Sequence, residues 1–225
     1  MKIHTSRCRT QRDPFLMRCP ACRQPITETE ASCRQCGFTM EALAAQMGIA
    51  PQLTRPVADL GGVLSASEHR TMARAVQLME QRFPDISGVV VISEIPAHLT
   101  PELYAFWLFN RTSLFSAVEK GGNNHGVLLL LDSQSTRAAV MIGYGLEPLV
   151  PETLLEICLR PVAASLLKGN LAAAGEAFFR ELERQFTTLT AKWPLTFGYT
   201  ETEPWFESGT GKMIMTTQTG GDDIY

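Results

Sequence analysis

The sequence predicts an α/β protein in which a small mixed β-sheet lies between helices, with a cysteine-rich module in front of it. A β-branched run at residues 88–95 and an apolar run at residues 126–132 are separated by a helical segment. This is the pattern of a right-handed parallel crossover. A further strand at residues 137–142 follows after a short turn and is expected to be antiparallel, which makes the sheet mixed.

The predicted helices have recognisable boundaries. Ser65 and Glu68 form a capping-box pattern before the first helix of the main domain, and Pro84 ends it. Thr100 is expected to cap the next helix, with Pro101 at its first position. Later helices are expected to begin at Pro151 and after residues 168–170.

Cys19, Cys22, Cys33 and Cys36 form two CxxC pairs separated by ten residues. Pairs at this spacing point four thiolates at one position and bind Zn²⁺ tetrahedrally at about 2.3 Å. Gly37 permits the left-handed turn that such a site needs. Two disulfides or four buried thiols are the alternatives. A four-thiolate zinc site is structural, because it leaves no coordination position open for catalysis.

The chain is accordingly divided into five parts. In order, they are a basic arm (1–18), a zinc ribbon (19–40), a linker (41–58), the main domain (59–195) and an acidic tail (196–225). The tail is expected to be disordered, because it is rich in Gly, Thr and Glu. A short helix is expected at residues 41–47.

Composition restricts the environment of the protein. The net charge of -3 and 45% hydrophobic residues are typical of a soluble globular protein and disfavour broad nucleic-acid binding. We expect no membrane span, because no run approaches the roughly 20 apolar residues that a span requires. The polar N-terminal segment does not resemble a signal peptide. Together with the cysteine pattern, this predicts a cytoplasmic location.

Four sequence blocks occur in the order found in a known family. They are DLGGVLS (59–65), LFNR (108–111), NNHGVLLLL (123–131) and GYGLE (143–147). Residues 59–190 therefore resemble the TPM domain family, whose members include a thylakoid-lumen photosystem II repair protein. The resemblance implies a three-layer αβα sandwich.

The same resemblance suggests two activities. Phosphatase activity and divalent-cation binding have been proposed for some family members, and others act as accessory factors for membrane complexes. This chain departs from the family pattern at two places. It has Asn124-His125-Gly126 where the family has Asn-Asn-Gly, and Thr112-Ser113 where the family has Trp-Gly.

Three residues in the family-like blocks are candidates for a second metal site. Asp59, Asn124 and Glu147 carry the oxygen ligands that Ca²⁺ or Mg²⁺ prefers. Open α/β sheets bind ligands beyond the carboxyl ends of their strands, where loops gather such groups. The alternative is that these side chains cap helices and complete turns.

The sequence leaves three functions open. The favoured one is a non-enzymatic interaction module with an unidentified protein partner, because the thiolate site is closed and no nucleophile–base pattern is evident. The second is a divalent-metal-dependent phosphatase using Asp59, Asn124 and Glu147. The third is a nucleic-acid-associated factor acting through the basic N-terminal module, because basic residues outnumber acidic ones over residues 1–36.

Overall fold

A computed structural model of the chain describes residues 16–27, 30–112, 114–115, 125–143, 145–147 and 149–197. Most of the predicted basic arm and of the predicted acidic tail lies outside these ranges. The chain divides into two compact units, residues 1–184 and residues 185–225. The fold and the candidate site below belong to the first unit.

Six strands and five helices occur in the described part of the chain. In order, they are β1 (Leu16–Arg18), β2 (Pro25–Thr27), α1 (Met40–Met47), β3 (Val57–Asp59), α2 (Ala66–Arg82), β4 (Ser87–Ser93), α3 (Pro101–Arg111), β5 (Gly126–Asp132), β6 (Ala138–Ile142), α4 (Glu152–Leu166) and α5 (Leu171–Phe197). Strands β1 and β2 form a separate antiparallel pair next to the cysteines.

The main sheet has the order β3-β4-β5-β6. Strands β3, β4 and β5 are parallel, and β6 is antiparallel to β5. The predicted mixed sheet is therefore confirmed. Strands β4 and β5 are buried along their whole length, as strands covered on both faces must be.

Helices cover the sheet on both faces. On one face, Val89 and Leu128 pack in a core that includes Leu43 of α1 and Leu108 of α3. On the opposite face, a Cβ atom on Gly88 would meet Val76 of α2 and Phe179 of α5. The three-layer αβα sandwich is thus confirmed.

The predicted helix caps are present. Ser65 Oγ accepts from the Glu68 amide at 3.3 Å, and the Ser65 amide donates to Glu68 Oε2 at 2.8 Å, which completes the capping box. Hydrogen bonds from the Ser65 side chain and amide lower the pKa of Glu68. Thr100 Oγ1 accepts from the Leu103 amide at 3.2 Å. These caps set the directions in which α2 and α3 leave the sheet.

A buried ion pair holds the β5–β6 turn against the segment before α3. Asp132 is only 1% exposed and accepts hydrogen bonds from Ser135 Oγ at 2.6 Å and from Arg137 Nε at 2.9 Å. The Arg137 guanidinium also donates to the backbone carbonyls of Ile95 and Leu99. Burial alone would raise the pKa of Asp132, but hydrogen bonds from Ser135, Gln134 and Arg137 outweigh burial and lower it.

We expect Asp132→Asn to lower the free energy of unfolding by about 1–3 kcal/mol at neutral pH, because it leaves the partly buried Arg137 without its charged hydrogen-bond acceptor. A carboxylate with a lowered pKa stabilises the fold above its unfolded pKa of about 3.9, and this contribution is lost as the pH falls through the folded value. The deficit should therefore shrink below about pH 3.9. Urea unfolding across pH measures it, with exposed Asp85→Asn as the control. An equal deficit at all pH values would contradict the prediction.

We also expect Gly88→Ala to destabilise the fold by about 1–3 kcal/mol through overpacking. The added Cβ would lie 2.6 Å from Phe179 Cε1 of α5 and 2.9 Å from Val76 Cγ1 of α2, so side chains of two helices would have to move away from β4. Gly61→Ala is the matched control, because its Cβ would meet Val63 Cγ1 at an ordinary 3.4 Å. Thermal unfolding of both variants tests the prediction, which fails if they lose equal stability.

Candidate metal centre

The first cysteine pair forms a tight turn closed by two backbone hydrogen bonds. The Cys19 amide donates to the Gln24 carbonyl at 2.8 Å, and the Arg23 amide donates to the Cys19 carbonyl at 2.8 Å. This turn holds Cys19 and Cys22 on the same side of the backbone. Arg23 adopts φ 61°, a left-handed conformation that residues other than glycine adopt at a cost.

The second cysteine pair repeats the same turn. The Cys33 amide donates to the Phe38 carbonyl at 2.9 Å, and the Gly37 amide donates to the Cys33 carbonyl at 2.8 Å. Gly37 has φ 70° and occupies the position that Arg23 occupies in the first turn. The predicted left-handed turn is therefore confirmed at Gly37. The same conformation at Arg23 was not predicted, because no glycine marks that position in the sequence.

The two turns bring the four sulfur atoms together. All four Sγ atoms lie within 4.8 Å of one another, with Cys19–Cys36 at 3.7 Å and Cys22–Cys33 at 3.6 Å. A tetrahedron of sulfurs about 2.3 Å from a zinc ion has edges of about 3.8 Å. The four side chains are free thiols rather than disulfides, because a disulfide bond joins sulfurs at about 2.05 Å. The donor set and its spacing fit a zinc ion.

The thiols influence each other's protonation. The Cys36 backbone amide is the largest influence on Cys33, and with neighbouring hydrogen bonds it lowers the pKa of Cys33 to about 7. The Phe38 amide acts to lower the pKa of Cys36, but desolvation and the three other thiols raise it to about 12. Thiolates this close repel one another, so complete ionisation of the set requires a cation at its centre.

The cysteine module packs against the main domain. The ring of Phe38, directly after the second turn, meets Phe106 of α3 edge-on with centroids 6.1 Å apart. Leu43 of α1 is 4% exposed and belongs to the core between the sheet and α3. An ion pair between Arg23 and Glu102 at 3.6 Å adds little, since both side chains are exposed. Aromatic and aliphatic packing therefore orients the module.

Asp59, the first residue of the second candidate site, lies at the carboxyl end of β3. Its Oδ2 accepts from the Leu64 amide at 2.8 Å and so closes the loop that leads to α2. Its Oδ1 is buried and receives no hydrogen bond from any residue the structure describes. A buried carboxylate oxygen without a donor is a site at which a cation would be favourable.

Glu147 lies at the other end of the sheet. It follows β6, whose last residue, Ile142, pairs with Val127 at the start of β5. The side chain is exposed, while desolvation of its carboxyl group raises its pKa. Asn124 lies outside the described residues.

Strand register separates Asp59 from Glu147. Asp59 is level with Ile92, whereas the start of β5 is level with Ser87, five residues earlier on β4. Five residues of strand span about 16 Å, and β3 and β6 are opposite edges of the sheet. The two carboxylates thus occupy opposite corners, contrary to the expectation that they share one ion.

Asp132 lies at the same carboxyl edge of the sheet as Asp59, but both of its oxygens already accept hydrogen bonds. Its oxygens accept from Ser135, Arg137 and nearby amides, so it acts as a structural acceptor. Within the described ranges, the four cysteines are the one group of three or more His, Cys, Asp or Glu side chains close enough to share a metal ion.

None of the helices described is long and apolar enough to cross a membrane.

The comparison with solved structures finds three to which this chain is similar. They are the N-terminal domain of cg2496 from Corynebacterium glutamicum (14% identity, 61% of this chain and 84% of that one, TM-score 0.46), an N-terminal domain from P. gingivalis (24%, 61% and 85%, 0.46) and BA42 from Bizionia argentinensis (13%, 58% and 86%, 0.44). Among curated proteins, no sequence matches this chain.

A family model provides the assignment. The model of the TPM domain matches residues 57–185, which is more than half of the chain and spans the main sheet, α2, α3, α4 and the first part of α5. The four sequence blocks that suggested this family all lie inside the matched range. The chain therefore belongs to the TPM domain family.

Proposed function

We propose that this protein is a non-enzymatic interaction module in which a structural zinc ribbon and the TPM domain together present one surface to a protein partner. The observation that carries the proposal is the packing of Phe38 on Phe106, directly beside a four-thiol cluster. A ribbon held in this way has a defined orientation, so residues on both modules can contact the same partner.

The four cysteines would hold the zinc ion, which crosslinks two turns too short to have a core of their own. Four protein ligands leave no position for substrate, so the ion supplies structure rather than chemistry. Thiolates persist in a reducing compartment, and we therefore place the protein in the cytoplasm.

Charge pairing on the ribbon favours a protein partner over nucleic acid. Arg34 contacts Glu30 at 2.6 Å, and Arg23 contacts Glu102 at 3.6 Å. Arginines that already face carboxylates neutralise fewer phosphates, and phosphate contacts dominate nucleic-acid affinity. Ile49, just after α1, is 97% exposed and gives the same region an apolar side chain.

We expect the purified protein to contain a single zinc ion per chain and the double variant Cys22→Ser/Cys36→Ser to contain none, because two thiolates cannot retain the ion. Elemental analysis by mass spectrometry measures the zinc content. Cys158→Ala is the matched control, since Cys158 is a buried thiol of α4 outside the cluster. Zinc retained by the double variant, or lost from the control, would contradict the assignment.

Site-specific photo-crosslinking in cells tests the interaction proposal. A photoreactive phenylalanine derivative at exposed Gln35 should crosslink to one defined protein, while the same group at exposed Arg180 of α5 should not. The crosslink should disappear in the Cys22→Ser/Cys36→Ser background, because the ribbon loses its shape without metal. Crosslinking to nucleic acid, or no difference between the two positions, would reject the proposal.

A divalent-metal-dependent phosphatase is the second candidate, favoured by the buried, unpartnered Oδ1 of Asp59. A Ca²⁺ or Mg²⁺ ion there could polarise a phosphoryl group and activate water. The test is hydrolysis of an aryl phosphate with each ion or with a chelator, comparing wild type, Asp59→Ala and exposed Asp85→Ala. Metal-dependent turnover lost only in Asp59→Ala would replace the first proposal. Equal turnover in all three would remove this candidate.

A further inference from the structure

Strand β6 leaves one side of the main sheet open. It pairs with β5 on one side and, among the strands the structure describes, with none on the other. Its five residues, Ala138–Ile142, include no charged residue and no proline. Protein sheets usually protect such an edge with charges, proline or a bulge. The register with β5 is continuous from Ala138 to Ile142, so no bulge interrupts it.

The direction of the backbone groups on β6 follows from two hydrogen bonds to β5. The Asp132 amide donates to the Arg137 carbonyl, and the Gly143 amide donates to the Gly126 carbonyl. The backbone groups of Arg137 and Gly143 therefore point inward, toward β5. Because the direction of these groups alternates along an unbroken strand, the backbone groups of Ala139 and Met141 also point inward. The amides and carbonyls of Ala138, Val140 and Ile142 must then point outward, away from β5.

This open edge is complementary to itself. If two copies of β6 run antiparallel with Val140 opposite Val140, then Ala138 lies opposite Ile142 of the other copy. Every outward-pointing residue then faces another, and the three pairs exchange two N–H···O bonds each. A shift of register by one residue would place outward groups against inward ones.

Charge does not oppose this pairing. The flanking residue Arg137 would face Gly143 of the second copy rather than another arginine. Its guanidinium is already held by Asp132 at 2.8 Å and by two backbone carbonyls. The side chains of Ala138, Val140 and Ile142 are apolar and half-buried, so they bring no like charges together when a second β6 pairs with this edge.

We propose that β6 is a homodimerisation edge, at which two copies of this chain join their sheets antiparallel about a two-fold axis at Val140. The occupant is a second copy because, in this register, all outward backbone groups of the uncharged β6 pair with each other and Arg137 faces Gly143 instead of a like charge. The resulting sheet has eight strands and no open β6 edge. This interface does not involve the cysteine module and is independent of the proposed partner surface.

Two variants at Val140 test the proposal in the full-length protein. Val140→Pro removes an amide that points outward, so the β5–β6 ladder loses no hydrogen bond while the dimer loses its central pair. Val140→Lys places two ammonium groups directly opposite each other in the dimer. Gln134→Lys adds the same charge at an exposed position in the β5–β6 turn and serves as the control.

Sedimentation velocity over a range of concentrations, with circular dichroism to verify folding, gives the answer. We expect dimers of the wild type and of Gln134→Lys, and a loss of at least tenfold in dimer affinity for both Val140 variants. Wild type that stays monomeric at the highest concentration overturns the proposal. So does a dimer that persists in folded Val140→Lys. If Val140→Pro does not fold, Val140→Lys decides alone. A dimer lost only in Cys22→Ser/Cys36→Ser would assign self-association to the ribbon instead.

Discussion

Burial of β4 and β5 on both faces is the constraint on which the remaining structure depends. Strands without a polar face need a helical layer on each side, and α1 with α3 and α2 with α5 supply these layers. The layers must also come close, which is why Gly88 lies where α2 and α5 both contact β4. Removing either layer would expose continuous apolar strands to water.

The same burial explains why the cysteine module packs against the main domain instead of being joined to it only by a flexible linker. The face of the sheet opposite α2 is covered partly by α3 and partly by Leu43 of α1, the helix that directly follows the second cysteine turn. A short helix of this kind gains stability from tertiary packing more than from its own propensity. The turns that carry the four cysteines and the core of the sheet are therefore continuous through the contact between Phe38 and Phe106.

The polar groups of the sheet are distributed between its two ends according to strand direction. The carboxyl edge holds Asp59 and Asp132. Both oxygens of Asp132 accept hydrogen bonds, whereas Asp59 Oδ1 receives none from the residues that the structure describes. The opposite end receives the chain after antiparallel β6, and with it Glu147. Any chemistry at Asp59 would therefore proceed without Glu147.

The sequence by itself determined the long strands, the capped helices and the cysteine pairs, because periodicity, Ser65 and Thr100 caps and CxxC spacing are local signals. It did not reveal β3, since three residues carry no periodic pattern and pair only once β4 exists. Tertiary structure alone decided that α1 joins the core and that Asp59 and Glu147 separate. Each of these depends on strand direction or on contacts between distant segments, which residue spacing does not encode.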